Sequence, residues 1–108
     1  MQPLPLPIAT YVQAVNAHDI PAVLHCFAPE AHVHDEGQDY YGRAEIGAWL
    51  TRTQQATPFT QEVTHVEPGF TETVVTLLVT GDFPGSPLHL YAHFQLDAAL
   101  IHDLRIQG

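Results

Sequence analysis

The 108-residue sequence predicts an α+β fold in which N-terminal helices back a curved, mostly antiparallel sheet around a single apolar pocket. Two observations carry this. Apolar residues recur at helical spacing up to about Gln55 and with a period of two from Phe59 onward. The later segments are joined by short gaps rich in Pro, Gly and Asp, the connections that sequential antiparallel strands use. Length and composition agree with a single domain over residues 1–108. A chain of this size buries roughly two thirds of the surface it exposes when unfolded. Its 45% hydrophobic content is enough for one core and one cavity.

Residues 1–7 alternate Pro with Leu and predict an extended lead-in without the basic segment of a secretion signal. Ile8, Tyr11, Val12 and Val15 then share a helical face, so a first helix runs to about Ala17. His18-Asp19 breaks it. Asp19 is placed to cap a second helix with Pro21 in its first turn; that helix buries Ile20, Val23, Leu24 and Phe27 and stops at Ala28-Pro29. Residues 31–35 alternate as a short strand, with Val33 and Asp35 on one face and His32 and His34 on the other. A turn from Gly37 to Gly42 leads to a third helix, about residues 43–55, whose apolar stripe is Ile46, Trp49 and Leu50.

Residues 59–67, 71–81, 88–96 and 100–106 predict four strands, separated by Pro68-Gly69, by Pro84-Gly85 with Pro87, and by Asp97-Ala98. In the third of these, Leu90, Ala92, Phe94 and Leu96 should meet the helices. His89, Tyr91, His93 and Gln95 share the other face, whose aromatic and imidazole content predicts a homodimer interface.

Twelve acidic residues against three arginines and no lysine give a formal net charge of −9. That field repels phosphate backbones and anionic lipid heads, so neither nucleic acid nor a membrane surface is an expected partner. The single cysteine, Cys26, leaves no internal disulfide and no cysteine-rich zinc site, and its apolar helical neighbours predict a buried thiol. No apolar run reaches the ~18 residues of a membrane span, and a cytoplasmic location is expected. Gly-rich phosphate loops, nucleophile elbows and Cys–His pairings are absent, and no cofactor is expected.

Three motifs carry a family resemblance. Tyr11-Val12-Gln13-Ala14-Val15-Asn16-Ala17-His18-Asp19-Ile20 resembles the first-helix segment of the nuclear-transport-factor-2-like superfamily, which ends in an "N-x-x-D" break. Phe27-Ala28-Pro29-Glu30-Ala31-His32-Val33-His34-Asp35 is similar to its "F-A-x-D-A-x-x-x-D" segment, and Tyr41-Gly42-Arg43-Ala44-Glu45-Ile46 to the "x-G-R-x-x-I" opening of its third helix. The motifs occur in order, and the resemblance covers the chain from about Ile8 to Ile106. It implies a cystatin-like roll: a cone-shaped sheet wrapped around a helix, with a cavity at the open end. The superfamily includes ketosteroid isomerases, SnoaL-like polyketide cyclases, scytalone dehydratase, limonene epoxide hydrolase and non-enzymatic modules, so fold alone does not choose among them.

Asp35 is the leading catalytic candidate. A carboxylate in an apolar pocket has its charged form disfavoured, which raises its pKa toward the range of a general base. It resembles the base of the steroid-isomerase branch; the plainer alternative is a cap on the turn before Gly37. Tyr11 resembles that branch's tyrosine, which donates to the developing oxyanion, or else is a core aromatic. The branch's second donor is a protonated aspartate. Here the matching strand reads Leu90-Tyr91-Ala92-His93-Phe94 and puts Ala92 in that place. His102 shares strand parity with Leu104 and Ile106 and would enter the cavity to meet Asp35 as a dehydratase-like pair. Val15, Tyr40, Tyr41, Trp49, Phe59, Ala92 and Phe94 are expected to form the substrate pocket.

An epoxide-hydrolase relay lacks its arginine. Arg43 and Arg52 belong to the third helix, and Arg105 shares a face with Asp103 as a structural ion pair. No metal site is expected either. His32 and His34 have ligand-like spacing but lie on the non-pocket face, and His89 and His93 stand about 13 Å apart along a strand. Two functions are compatible with these residues. One is a small-molecule-binding protein with lyase or isomerase chemistry on an apolar carbonyl compound, Asp35 taking a proton and Tyr11 steadying the enolate. The other is a non-catalytic ligand-binding or dimerisation module.

Overall fold

The computed structural model describes residues 3–108. In chain order these form α1 (Leu6–Asn16), α2 (Ile20–His25), β1 (Phe27–Asp35), β2 (Gln38–Tyr41), α3 (Gly42–Ala56), β3 (Phe59–Pro68), β4 (Thr73–Gly81), β5 (Leu88–Asp97) and β6 (Leu100–Gln107). The strands make one mixed sheet in the order β2-β1-β6-β5-β4-β3. β1 and β6 run parallel, and every other neighbouring pair is antiparallel. The class expected from the change of period is the class found.

Pro5 is the N-cap of α1 and Pro7 lies in its first turn, where a missing N–H breaks no helical bond. The lead-in therefore ends at Pro5 rather than Pro7, and its Met1 and Gln2 lie outside the described residues. At the other end His18 takes a φ of 58°, while the N–H groups of His18 and Asp19 return to the carbonyls of Val15 and Ala14 at 3.0 Å. This pair of bonds is a Schellman stop. Asp19 then caps α2, accepting from the Ala22 N–H at 3.2 Å.

α2 ends at His25, short of Ala28-Pro29, because the sheet claims the residues beyond it. Phe27 pairs with Ile101 of β6, and the Cys26 carbonyl accepts from the Ile101 N–H at 2.7 Å. Pro29, with no N–H to give, falls in the irregular register between Phe27 and His32. Cys26 itself is buried, and burial pushes its thiol up. It packs as a core residue rather than as a nucleophile.

β2 was not expected. It folds back on β1 through Glu36-Gly37, whose φ values of 51° and 76° make the two-residue turn that suits antiparallel strands. Its sequence, Gln-Asp-Tyr-Tyr, has no apolar alternation to announce it.

The core gathers Ile8 and Val15 of α1, Ile46 and Leu50 of α3, and the inward residues Val33, Val75, Leu77, Phe94 and Leu104 of the sheet. β5 alternates as its sequence predicts, with Ala92 and Phe94 buried and His89, Tyr91 and Gln95 exposed. β6 does not. Ile101 and Leu104 are both buried although three residues apart, because the register shifts opposite Gln95 and Leu96. This bulge turns two consecutive side chains, His102 and Asp103, to the outer face.

Candidate functional site

A cavity of about 420 Å³ lies among α1, α3, the end of β1 and the inner faces of β3 to β6. That volume is within the range that holds a small organic ligand. Its wall is mostly apolar: Leu50 from α3, Phe59 from β3, Leu77 and Val79 from β4, Leu90 from β5 and Ile106 from β6. Polar side chains interrupt it, among them Tyr11, Asp35, Glu36 and Gln61.

Asp35 is the last residue of β1. Strand parity places it on the inner side with Ala31 and Val33, and the turn at Glu36-Gly37 holds it at the cavity's edge. Trp49, 5% exposed, reaches it from α3 and donates its indole N–H to Asp35 Oδ2 at 3.1 Å. Burial raises the Asp35 pKa. The Trp49 bond pulls against this, the Glu36 charge adds to the rise, and His34 and the Glu36 backbone N–H oppose it. The outcome is a carboxylate with one oxygen held and its basicity increased.

Tyr11 is buried between two rings, meeting Phe27 edge-on at 5.8 Å and Phe94 at 5.6 Å. Burial pushes its phenol far above the ordinary range, and the Asp35 charge adds to this, while the Gln61 side chain pulls partly back. The hydroxyl therefore stays protonated, with its O–H available to donate. Gln61 is 7% exposed, and among the described residues its Nε2 has no hydrogen-bond partner. Its backbone is held from α1 at two points. Asn16 Nδ2 donates to the Gln61 carbonyl at 2.8 Å, and the Gln61 N–H donates to Asn16 Oδ1 at 2.8 Å.

The structure brings Tyr11, Asp35, Trp49 and Phe59 together on this cavity. It puts the other expected pocket residues elsewhere. Val15, Ala92 and Phe94 are fully packed core residues behind the wall. Tyr40 faces an adjoining recess with Asp35, Trp49 and Arg52, stacked on Trp49 at 5.9 Å with the Arg52 guanidinium 5.7 Å from its ring centroid. Tyr41 is 62% exposed and stacks on His32 outside the sheet at 4.7 Å. His102 is corrected most sharply: the bulge in β6 exposes it on the outer face, so no His102–Asp35 pair forms in the cavity. Gln61 was missed. The signal existed, since Gln61 shares parity with the apolar Phe59 and so must face inward.

On the outer face His32 and His34 both bond Asp39 Oδ1 at 2.8 Å, and His32 also bonds Asp103 at 2.7 Å. Asp103 is thus taken by His32, while Arg105 approaches Glu72 at 3.9 Å instead of the expected Asp103. Burial works against a charge on His32, but the bonds and charges of Asp103 and Asp39 outweigh it and raise its pKa. Bonds from His34 and His32 lower that of Asp39. The His32 contribution to stability is full below its unfolded pKa and is lost as pH rises through the raised folded value. That of Asp39 is lost as pH falls through its lowered value. An NMR titration is expected to place His32 above an ordinary histidine, and a midpoint at or below the ordinary value would contradict the pairing.

The model of the SnoaL-like domain family matches residues 8–104. No curated protein matches this chain. A proposed polyketide cyclase from Sinorhizobium meliloti is 32% identical; the likeness covers 96% of this chain and 95% of that one, with a TM-score of 0.93. A protein with a ketosteroid isomerase-like fold from Catenulispora acidiphila, solved with trimethylamine, superposes at 0.86 with 16% identity over 98% of this chain and 87% of that one. A proposed polyketide cyclase from Xanthomonas campestris superposes at 0.80 with 20% identity over 93% of this chain and 85% of that one. Among the described residues no helix is long and apolar enough to cross a membrane.

Proposed function

We propose that this chain, which belongs to the SnoaL-like domain family of the nuclear-transport-factor-2-like superfamily, binds a small apolar carbonyl compound and removes a proton from the carbon beside the carbonyl. The observation that carries this reading is a carboxylate of raised basicity, Asp35, at the edge of an apolar cavity that a buried, protonated tyrosine also lines. With Oδ2 held by Trp49, Oδ1 is the oxygen that takes the proton. The C–H electron pair becomes a carbon–carbon double bond, and the carbonyl oxygen becomes an enolate that accepts from the Tyr11 hydroxyl. Where a further carbon–carbon double bond is conjugated with the enolate, returning the proton to its far carbon shifts that double bond and isomerises the compound. Expelling a neighbouring group makes the same step a lyase reaction, and attack of the enolate on a second carbonyl makes it a cyclisation. The names carried by the Sinorhizobium and Xanthomonas proteins are consistent with chemistry of this kind.

The test uses β-tetralone, a compact apolar ketone with exchangeable protons beside its carbonyl. In deuterated buffer the protein is expected to speed loss of those proton signals well beyond the same concentration of acetate, a free carboxylate of ordinary basicity. General-base catalysis by a positioned group contributes about 10²–10⁴-fold. Exchange no faster than with acetate, with the ketone bound, would move the chain to the class of non-catalytic ligand-binding modules.

A further inference from the structure

We infer that Gln61 is the second hydrogen-bond donor of the cavity, placing its Nε2–H on the same substrate oxygen that receives the Tyr11 hydroxyl. The inference rests on reading the cavity as a carbon-acid site, and it supplies the donor that Ala92, an apolar core residue, does not.

Buried polar groups are nearly always paired. Gln61 is 7% exposed on the cavity wall, yet among the described residues its Nε2 meets no acceptor at hydrogen-bond geometry. A ligand acceptor would complete that set. The position is also fixed rather than incidental. Asn16 grips the Gln61 backbone through both its N–H and its carbonyl at 2.8 Å, and α1 carries Tyr11 as well. The helix that presents the phenol thus also holds the strand that presents the amide. The two groups are near enough to affect each other, since the Gln61 side chain offsets part of the rise in the Tyr11 pKa. This gives the "N-x-x-D" asparagine of the first helix a task beyond ending that helix.

The charge of the wall decides what kind of oxygen is bound. No arginine or lysine lines the cavity, and Asp35 and Glu36 do. A carboxylate ligand would meet like charge with no cation to offset it. A neutral ketone, ester or other carbonyl compound does not, and it acquires negative charge only when its proton has moved to Asp35. Two neutral donors preorganised at that oxygen act on the charge as it develops, where such donors are most effective. The substrate class is therefore a neutral carbonyl compound with one oxygen buried at the Tyr11–Gln61 end.

Binding of β-naphtholate, a stable anion shaped like an enolate, provides the test, with naphthalene as the control lacking oxygen. Both are titrated by fluorescence against Asp35→Asn protein, whose neutral amide stands in for the protonated base. Adding Gln61→Leu is expected to weaken naphtholate by about tenfold or more while leaving naphthalene essentially unchanged. Its melting temperature should not fall, because the change removes an unpaired buried donor. Gln61→Met, closer in shape and equally without a donor, should behave the same way. Gln61→Leu should weaken naphtholate further when Tyr11→Phe is already present, since each group contacts the oxygen directly. Several results would overturn the inference: no added loss in that background, an equal loss for naphthalene, or a lowered melting temperature in both Gln61 variants. If Tyr11→Phe weakens naphtholate and Gln61→Leu does not, Gln61 falls and the Asp35–Tyr11 reading stands. If neither weakens it, both fall.

Discussion

Replacing Asp35 with Asn is expected to slow deprotonation of a carbon acid by about 10²–10⁴-fold while leaving the fold intact. The amide oxygen can still accept from the Trp49 indole, so the bond that ties α3 to the end of β1 survives. What is lost is the site that takes the proton. The stability effect has the opposite sign to the activity effect. Burial raises the folded-state pKa of Asp35, so the folded protein binds a proton more tightly than the unfolded chain. Stability therefore falls as pH rises from the ordinary carboxylate range through the raised folded value. The variant carries no such group. Below that window it should melt like the parent, and near neutrality it should melt higher. Tetralone exchange rates and thermal melts on either side of the window measure both effects. A variant that keeps the parent's exchange rate would remove Asp35 from the chemistry, and a variant less stable at neutral pH would mean that the charged form supports the fold.

Truncating Trp49 to Ala is expected to lower stability by about 3–5 kcal/mol, as loss of a buried aromatic side chain generally does. Domains of this size hold only about 5–15 kcal/mol in total, so the variant should be largely unfolded or fail to accumulate. The size of the effect comes from the contacts of the ring. It is 5% exposed, stacks on Tyr40 at 5.9 Å, lines the cavity and bonds Asp35 at 3.1 Å. Trp49→Phe keeps the apolar ring and loses the N–H. A smaller loss of stability is expected, together with a specific change at Asp35. The Trp49 bond holds the Asp35 pKa down, so without it that pKa should climb further. The pH profile of tetralone exchange then moves to higher pH. As the chain's single tryptophan, Trp49 also reports on the cavity, and its fluorescence should change when an apolar ligand enters. An alanine variant that melts like the parent would show that this ring does not anchor α3.

The amino-acid sequence by itself determined the helices, the four C-terminal strands and the sidedness of most of them. Those features are written locally. A run with Ile8, Tyr11, Val12 and Val15 at helical spacing has one apolar face wherever it lies, and the alternation of Leu90, Ala92, Phe94 and Leu96 sorts one strand face from the other. The same logic put Asp35 inward beside Val33, and the alternation of β3 likewise carries Gln61 inward beside Phe59.

Tertiary structure decided the rest. Strand parity says that Val15, Ala92 and Phe94 point inward but not whether another side chain waits there; all three are packed solid, and the unfilled space lies instead against Leu77, Val79, Leu90 and Ile106. A cavity is a shortage of neighbours, and neighbours come from distant parts of the chain. Parallel pairing of β1 with β6 drew Phe27 out of a helical pattern, because Ile101 supplied partners that α2 did not. The β6 bulge reversed the parity that had pointed His102 toward Asp35, since one extra residue turns every position beyond it to the opposite face. Gln61 faces inward by its own alternation, but that its amide stands unpaired beside Tyr11 depends on α1 crossing β3, where Asn16 holds it. Local periodicity fixes which side of an element is apolar, whereas the cavity and its donors exist only where several elements meet.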